Sequence, residues 1–335
     1  MPAAFVLKRL ALAVPTLIGV AVIVFVLLRV VPGDPIAMMI PPGASEADIA
    51  NLRRLYGLDA PIWQQFIRWA GEILQGEFGT SISMRRDVVE LILGRLPATL
   101  ELALAAIVLA VALGVALALV GTWGQGGPAE VLVDGFTGLT LAIPDFLWGL
   151  IFILLLGVAI PLLPISGRID PRTGFEFATG FYLAESLVRG EWRIFGDIVA
   201  HLVLPAVALA LPLVAAVARL LKSSLQGVLQ EDYIAMAKAR GMGRWRIILH
   251  QALQNAAIPT VTLGGVQFTF LIGGTVLIER IFSYPGIGNM AIGAVIQRDL
   301  PLIQGIVLMF GLIFVLINIA IDLAGNFFNP RLKHG

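Results

Sequence analysis

Six stretches of this chain are each long and apolar enough to cross a lipid bilayer, and no other feature limits the possible folds as strongly. A spanning helix needs about 20 apolar residues, because it rises about 1.5 Å per residue through a hydrocarbon layer about 30 Å thick. Residues 10–28 and 102–120 carry no charge at all. Residues 131–163 are too many for one straight span, and Pro144-Asp145 breaks them. Residues 202–218, 256–278 and 302–321 complete the set. Backbone polar groups in hydrocarbon must be satisfied within their own segment, so the expected fold is all-α and polytopic with six main transmembrane helices. The charge content agrees. Only 13% of the 335 residues are charged, against about 25% in soluble domains, which is too few to coat a water-facing surface of this size.

Other function classes fall away on composition. The 23 Lys+Arg against 22 Asp+Glu leave a net charge of +1, which argues against nucleic acid as a partner. Without cysteine there is no disulfide framework, thiolate nucleophile or Cys-based metal site. His201, His250 and His334 lie far apart, so no metal is expected. None of the four lysines, Lys8, Lys222, Lys238 and Lys333, follows a glycine, so the chain lacks the phosphate-cradling loop of an ATPase. Neither H-E-x-x-H nor G-x-S-x-G occurs, and no catalytic residues or cofactor are expected. Ion-coupled carriers place acids within their spans, and Asp134 and Asp145 are the two candidates here for a proton site.

The loops suggest an orientation. With the N-terminus inside, the inner segments 1–9, 122–130, 219–254 and 329–335 hold Lys8, Arg9, Arg219, Lys222, Lys238, Arg240, Arg244, Arg246, Arg331 and Lys333. They hold only Glu130, Glu231 and Asp232 in opposition, whereas the outer segments carry more acids than bases. Both termini are therefore expected in the cytoplasm. The organisation reads as a cytoplasmic N-terminus and first span over 1–31, an extracytoplasmic helical insertion over 32–94, and a core of five spans over 95–335. Within the insertion, Ser45 and Asp48 resemble a helix cap and Gly57 a stop; Pro61 opens a second helical pattern at Trp63 that Gly76 ends. A second outer segment, 164–201, shows no clear periodicity.

The most informative inner loop is 219–258. Glu231 and Asp232 suit a helix N-terminus, and Arg240 before Gly241 suits its end, giving a helix of two to three turns. Ala235, Ala237 and Ala239 keep its surface low, so another surface can come close. On these residues alone, a basic helix resting on anionic lipid headgroups is also open. Pro144-Asp145, with Phe146 and Trp148 after it, reads either as a simple kink or as a pathway or gate element. Breaks at membrane depth face a cavity or protein.

The loop text Asp232-Tyr-Ile-Ala-Met-Ala-Lys-Ala-Arg-Gly241 and Leu253-Gln-Asn-Ala-Ala-Ile-Pro259 resembles the coupling loop of ABC importer permeases. The likeness is to the first-type subunit of the dipeptide, oligopeptide and nickel family. Glu279-Arg-Ile-Phe-Ser-Tyr-Pro-Gly-Ile-Gly288, Arg298-Asp-Leu-Pro301 and Asn329-Pro-Arg331 extend it toward the C-terminus. Pro32-Gly-Asp-Pro35, Tyr56-Gly-Leu-Asp59, Gly76-Glu-Phe-Gly79 and Arg95-Leu-Pro-Ala-Thr-Leu-Glu101 extend it toward the N-terminus. Where the general consensus has Glu-Ala-Ala six residues before its glycine, this chain has Ala235-Met-Ala237, a departure common in the peptide subfamily. The resemblance implies a type I importer permease without enzymatic activity of its own, in a bacterial cytoplasmic membrane. It would pair with a sister permease as a heterodimer, bind two cytoplasmic ATPases, and receive di- or oligopeptides from an extracytoplasmic solute-binding protein. Nickel chelates and glutathione are alternative substrates for such permeases. A gradient-driven carrier using Asp134 or Asp145 is the reading from another class. The ATPase-coupling residues carried over are Asp232, Tyr233, Ala237, Lys238, Ala239, Arg240 and Gly241; Pro144, Asp145, Phe146 and Trp148 are the pathway candidates.

Overall fold

The computed structural model describes residues 3–30, 40, 45–47, 50 and 59–328. The cap and stop at Asp48 and Gly57, the Pro32–Pro35 turn and the Asn329–Arg331 motif lie outside the described residues. Among those described, the regular structure is helical, apart from one isolated bridge between Thr80 and Asp87. In chain order the helices are α1 Ala3–Val30, α2 Ile62–Leu74, α3 Val88–Trp123 and α4 Pro128–Ala142. Next come α5 Asp145–Phe152, which continues as a π-helix over Ile153–Ala159, then α6 Tyr182–Val188 and α7 Trp192–Val228. After them follow α8 Asp232–Ala239, α9 Arg244–Ile247, α10 Leu253–Ile281, α11 Ile287–Ile296 and α12 Leu300–Phe328.

Each apolar stretch lies in one of these helices, or in a pair. Residues 11–29 of α1, all of α3 and α7, and residues 300–320 of α12 are long and apolar enough to span, and α4 with α5 and its π-helical continuation makes an apolar pair bent by 101°. The predicted stretch 256–278 falls within the 29-residue α10. The fold is a multi-pass α-helical membrane protein. Helical structure also lies beyond the six apolar stretches. The aperiodic segment 164–201 holds α6, and it also holds the start of α7, ten residues ahead of the apolar run.

The chain forms two compact units. The first comprises Met1–Leu96 with Ile287–Leu316. Its core joins Val88, Leu91 and Ile92 to Ile287, Met290, Ala294, Leu302 and Ile306. A buried carboxylate fastens it further: Asp299 accepts from the Ser81 hydroxyl at 2.6 Å and from the Ser83 amide and hydroxyl at 2.9 and 2.7 Å. Burial pushes the Asp299 carboxyl up, but these donors outweigh it and hold the group below its usual value.

The second unit comprises Pro97–Gly286 with Ile317–Gly335 and is organised on α7. Most of that helix is buried, with Leu204, Ala208, Leu209, Ala210, Val214 and Val217 packed against Leu102, Ala106 and Ala110 of α3 and Ile278 of α10. The many alanines allow close helix approach, which in lipid replaces the hydrophobic drive for association.

Candidate functional site

Residues 229–252 build a short platform on the ends of α3, α7 and α10. Glu231 is extended, and Asp232 places its charge in the first turn of α8, with Lys238 in the last, both matching the helix dipole. The helix closes through a left-handed residue, Gly241, at φ 75°. The Gly241 amide donates to the Lys238 carbonyl at 2.9 Å and the Met242 amide to the Ala237 carbonyl at 3.3 Å. Those are the two bonds of a Schellman cap. No atom would meet a Cβ on Gly241 within 4 Å, so backbone conformation and not space requires glycine.

One side of α8 is seated. Ile234 and Ala237, one turn apart, are buried with Ala118 of α3, Leu221 and Leu225 of α7, and Ile247, Ile248, Ala252 and Ala256. Burying Ile234 contributes about 2 kcal/mol. The other side is open: Asp232, Tyr233, Ala235, Met236, Lys238, Ala239 and Arg240 are all exposed. Tyr233 is also a strut, since its hydroxyl accepts from Asn255 Nδ2 at 2.9 Å and lies 3.4 Å from the Gln251 carbonyl. The returning helix α9 is tied down as well. Trp245 stacks on Trp123 with centroids 5.9 Å apart, and Arg244 donates to the Thr122 carbonyl at 3.2 Å. The closed side of α8 is therefore seated on three long helices.

The acid candidates for a proton site have local partners. Lys222 Nζ lies 2.7 and 2.8 Å from the two Asp134 oxygens and 2.7 Å from Glu130 Oε1. Glu130 also takes the Gly126 amide and Gln226. The cluster clamps α4 to α7, so the Asp134 carboxylate is committed to an ion pair. Asp145 starts α5, where its Oδ1 accepts the Phe146 amide at 2.7 Å. Pro144 is the corner of the 101° bend, and Trp148 reaches back across it toward the Thr140 carbonyl at 3.5 Å while stacking on Phe152. Helix α10 passes so near the corner that a Cβ on Gly274 would stand 2.9 Å from Asp145 Oδ2. The structure thus gathers Pro144, Asp145 and Trp148 at one bend, and the far end of α5 runs on into the π-helix, a distortion frequent at functional sites.

The model of the family described as "Binding-protein-dependent transport system inner membrane component" matches residues 110–334, and the family's N-terminal model matches residues 3–103. The chain belongs to this family. The permease is 37% identical over 334 residues to the "Dipeptide transport system permease protein DppB" of Escherichia coli (strain K12), covering 98% of each chain. It is 38% identical to the "Di/tripeptide transport system permease protein DppB" of Pseudomonas aeruginosa (strain UCBPP-PA14), again over 98% of both. To the "Oligopeptide transport system permease protein AppB" of Bacillus subtilis (strain 168) it is 32% identical, over 99% of this chain and all of that one. Such permeases are not enzymes, and dependence on a binding protein is part of the family's definition.

The structure also brings together residues of the permease that sequence reasoning left apart. Glu101, at the end of the Arg95–Glu101 motif, is buried in an ion pair with Arg168 at 2.5 Å and accepts the Leu183 amide at 3.0 Å. Arg168 in turn donates to the Gly180 carbonyl at 2.8 Å and lies 3.8 Å over the Tyr182 ring. Two residues back, Thr99 donates to Glu279 at 2.7 Å, joining this motif to the one at 279–288. Glu279 presses on Gly286 so closely that a Cβ there would fall 2.2 Å from its carboxyl carbon, so any larger residue would displace that carboxylate. Nearby, the Thr179 hydroxyl outweighs burial and, with the Ala178 and Thr179 amides and Arg189, holds the Glu185 carboxyl down at about 2. The sequence signal for Arg168 was slight: a lone base in a segment without helical register.

Proposed function

We infer that this permease is the membrane-spanning subunit through which an ATP-driven importer carries di- or oligopeptides. The observation that carries the reading is the platform at α8: a short, low helix with an open face and a firmly seated back. Two separate ATPases dock on that face, touching Tyr233, Met236, Lys238, Ala239 and Arg240, and hydrolyse the ATP. Their closure pushes α8, and the seat on α3, α7 and α10 passes the displacement to the spans. A distinct sister permease completes the pathway as a heterodimer, and the corner at Pro144, Asp145, Phe146 and Trp148 lines or gates it. A solute-binding protein delivers substrate from outside, and both termini lie in the cytoplasm. The names of the relatives support peptides as cargo.

The test is uptake of a labelled dipeptide into proteoliposomes containing the permease, its sister, the ATPases and the binding protein. Uptake that requires both ATP and the binding protein is expected. Uptake by the permease alone under a proton gradient would overturn the reading. Topology is checked separately: in sealed right-side-out cells, a cysteine at Thr173 labels with an impermeant reagent and one at Ser224 does not.

A further inference from the structure

We propose that α2 is an interfacial helix that lies flat in the leaflet reached by the C-terminal end of α1, with one of its three faces sunk among the lipid acyl chains. At 13 residues it is about 20 Å long, too short to cross a hydrocarbon layer of about 30 Å. At about 100° per residue its side chains fall into three separate sectors. The first, Phe66 and Trp69, packs on Phe25 of α1 with ring centroids 5.3 and 5.2 Å away. The second, Gln64, Arg68, Glu72 and the following Gln75, is polar and exposed. The third is Trp63, Ile67 and Leu74, which are 62, 61 and 89% exposed although large and apolar.

The depth of the helix says what covers that third face. Arg29 donates to Gln65 at 2.9 Å, so α2 sits beside the point where the apolar run of α1 meets its first charge. Phe25 lies five residues, or about 7 Å, before the end of α1, within the depth to which interfacial helices sink. Ile18, Val22, Ile23, Val26 and Leu27 of α1, on either side of Phe25, are likewise large, apolar and exposed along its spanning run. The polar sector is rotated roughly 120° from the apolar one, as a helix with lipid beneath and water above requires. Trp63 supplies the amphipathic ring favoured at the headgroup level.

Because the chain has no cysteine, single spin labels can be placed without background. They are introduced at Trp63, Ile67 and Leu74, and for comparison at Gln64, Arg68 and Glu72, in the assembled transporter in phospholipid nanodiscs. Accessibility to lipid-soluble oxygen and to an aqueous nickel chelate is then measured. Oxygen accessibility exceeding nickel accessibility at 63, 67 and 74, with the reverse at 64, 68 and 72, is expected. Equal nickel accessibility on both faces would overturn the proposal by placing α2 in water. Shielding of 63, 67 and 74 from both reagents would overturn it in favour of a covering protein subunit.

Discussion

Helices α2 and α8 are built to the same local plan and present opposite surfaces. Both are short, both lie at the end of long spans, and both finish in a left-handed glycine: Gly76 at φ 85° and Gly241 at φ 75°. Both caps carry the same pair of hydrogen bonds, Gly76 to Ile73 and Glu77 to Glu72 in one, Gly241 to Lys238 and Met242 to Ala237 in the other. Yet α2 exposes Trp63, Ile67 and Leu74, whereas α8 exposes Ala235, Ala239, Tyr233 and Met236 among charges. Bulky apolar groups suit a fluid solvent that flows around them. The alanines between Tyr233, Met236 and the charges leave room for another backbone to come close. The capping chemistry sets where such a helix stops; the sizes of its outward side chains set what it meets.

The sharpest way to break this comparison is to damage both caps alike. Valine at either glycine imposes a left-handed β-branched residue at a cost of about 1–2 kcal/mol, and its Cβ meets no atom within 4 Å at either site. Gly241→Val is expected to lower peptide uptake roughly tenfold or more, to leave ATP hydrolysis uncoupled from substrate, and to spare membrane insertion. Gly76→Val carries the same strain and should keep substrate-stimulated ATPase activity. Equal losses in both variants would mean that the two helices do the same work.

Side-chain truncation gives a smaller contrast. Met236→Ala should weaken ATPase association about fivefold, the loss of roughly 1 kcal/mol at a contact centre, measured by co-purification or by titration in nanodiscs. Trp63→Ala should leave that association unchanged and make a label at residue 67 shallower in the membrane. Smaller still is Tyr233→Phe. Removing the hydroxyl that receives Asn255 costs about 0.5–1.5 kcal/mol, and uptake should fall only a few-fold with the ATPases still bound.

An acid titration of the second unit supplies a control that depends on neither helix. Glu185 is held at about 2 against an ordinary 4.5, so its contribution is complete above pH 4.5 and is lost as the pH falls toward 2. Hydrogen exchange at the amides of Ala178 and Thr179, corrected for intrinsic rates, should accelerate over that window. In Glu185→Gln the acceleration should be absent, because exchange is already fast at neutral pH.

Much of this molecule was legible before folding. The spans followed from apolar runs that no soluble surface could accommodate, and the break at Pro144 from a proline within a run too long for one straight crossing. The bounds of α8 followed from Glu231 and Asp232 at one end and Arg240-Gly241 at the other, since caps and helix dipoles act over a single turn. Helix α2 was equally readable between Pro61 and Gly76. Tertiary structure alone decided the partners. Glu101 meets Arg168 across 67 residues, Asp134 meets Lys222 across 88, and Thr99 meets Glu279 across 180. It also decided that Ile234 and Ala237 turn inward while Tyr233 and Met236 turn out, and that one apolar side of α2 rests on Phe25 while another stays open. The physical reason is range. Periodicity and capping are settled among residues within a turn or two of each other, whereas a buried charge or an apolar face acquires its partner only when distant helices come together.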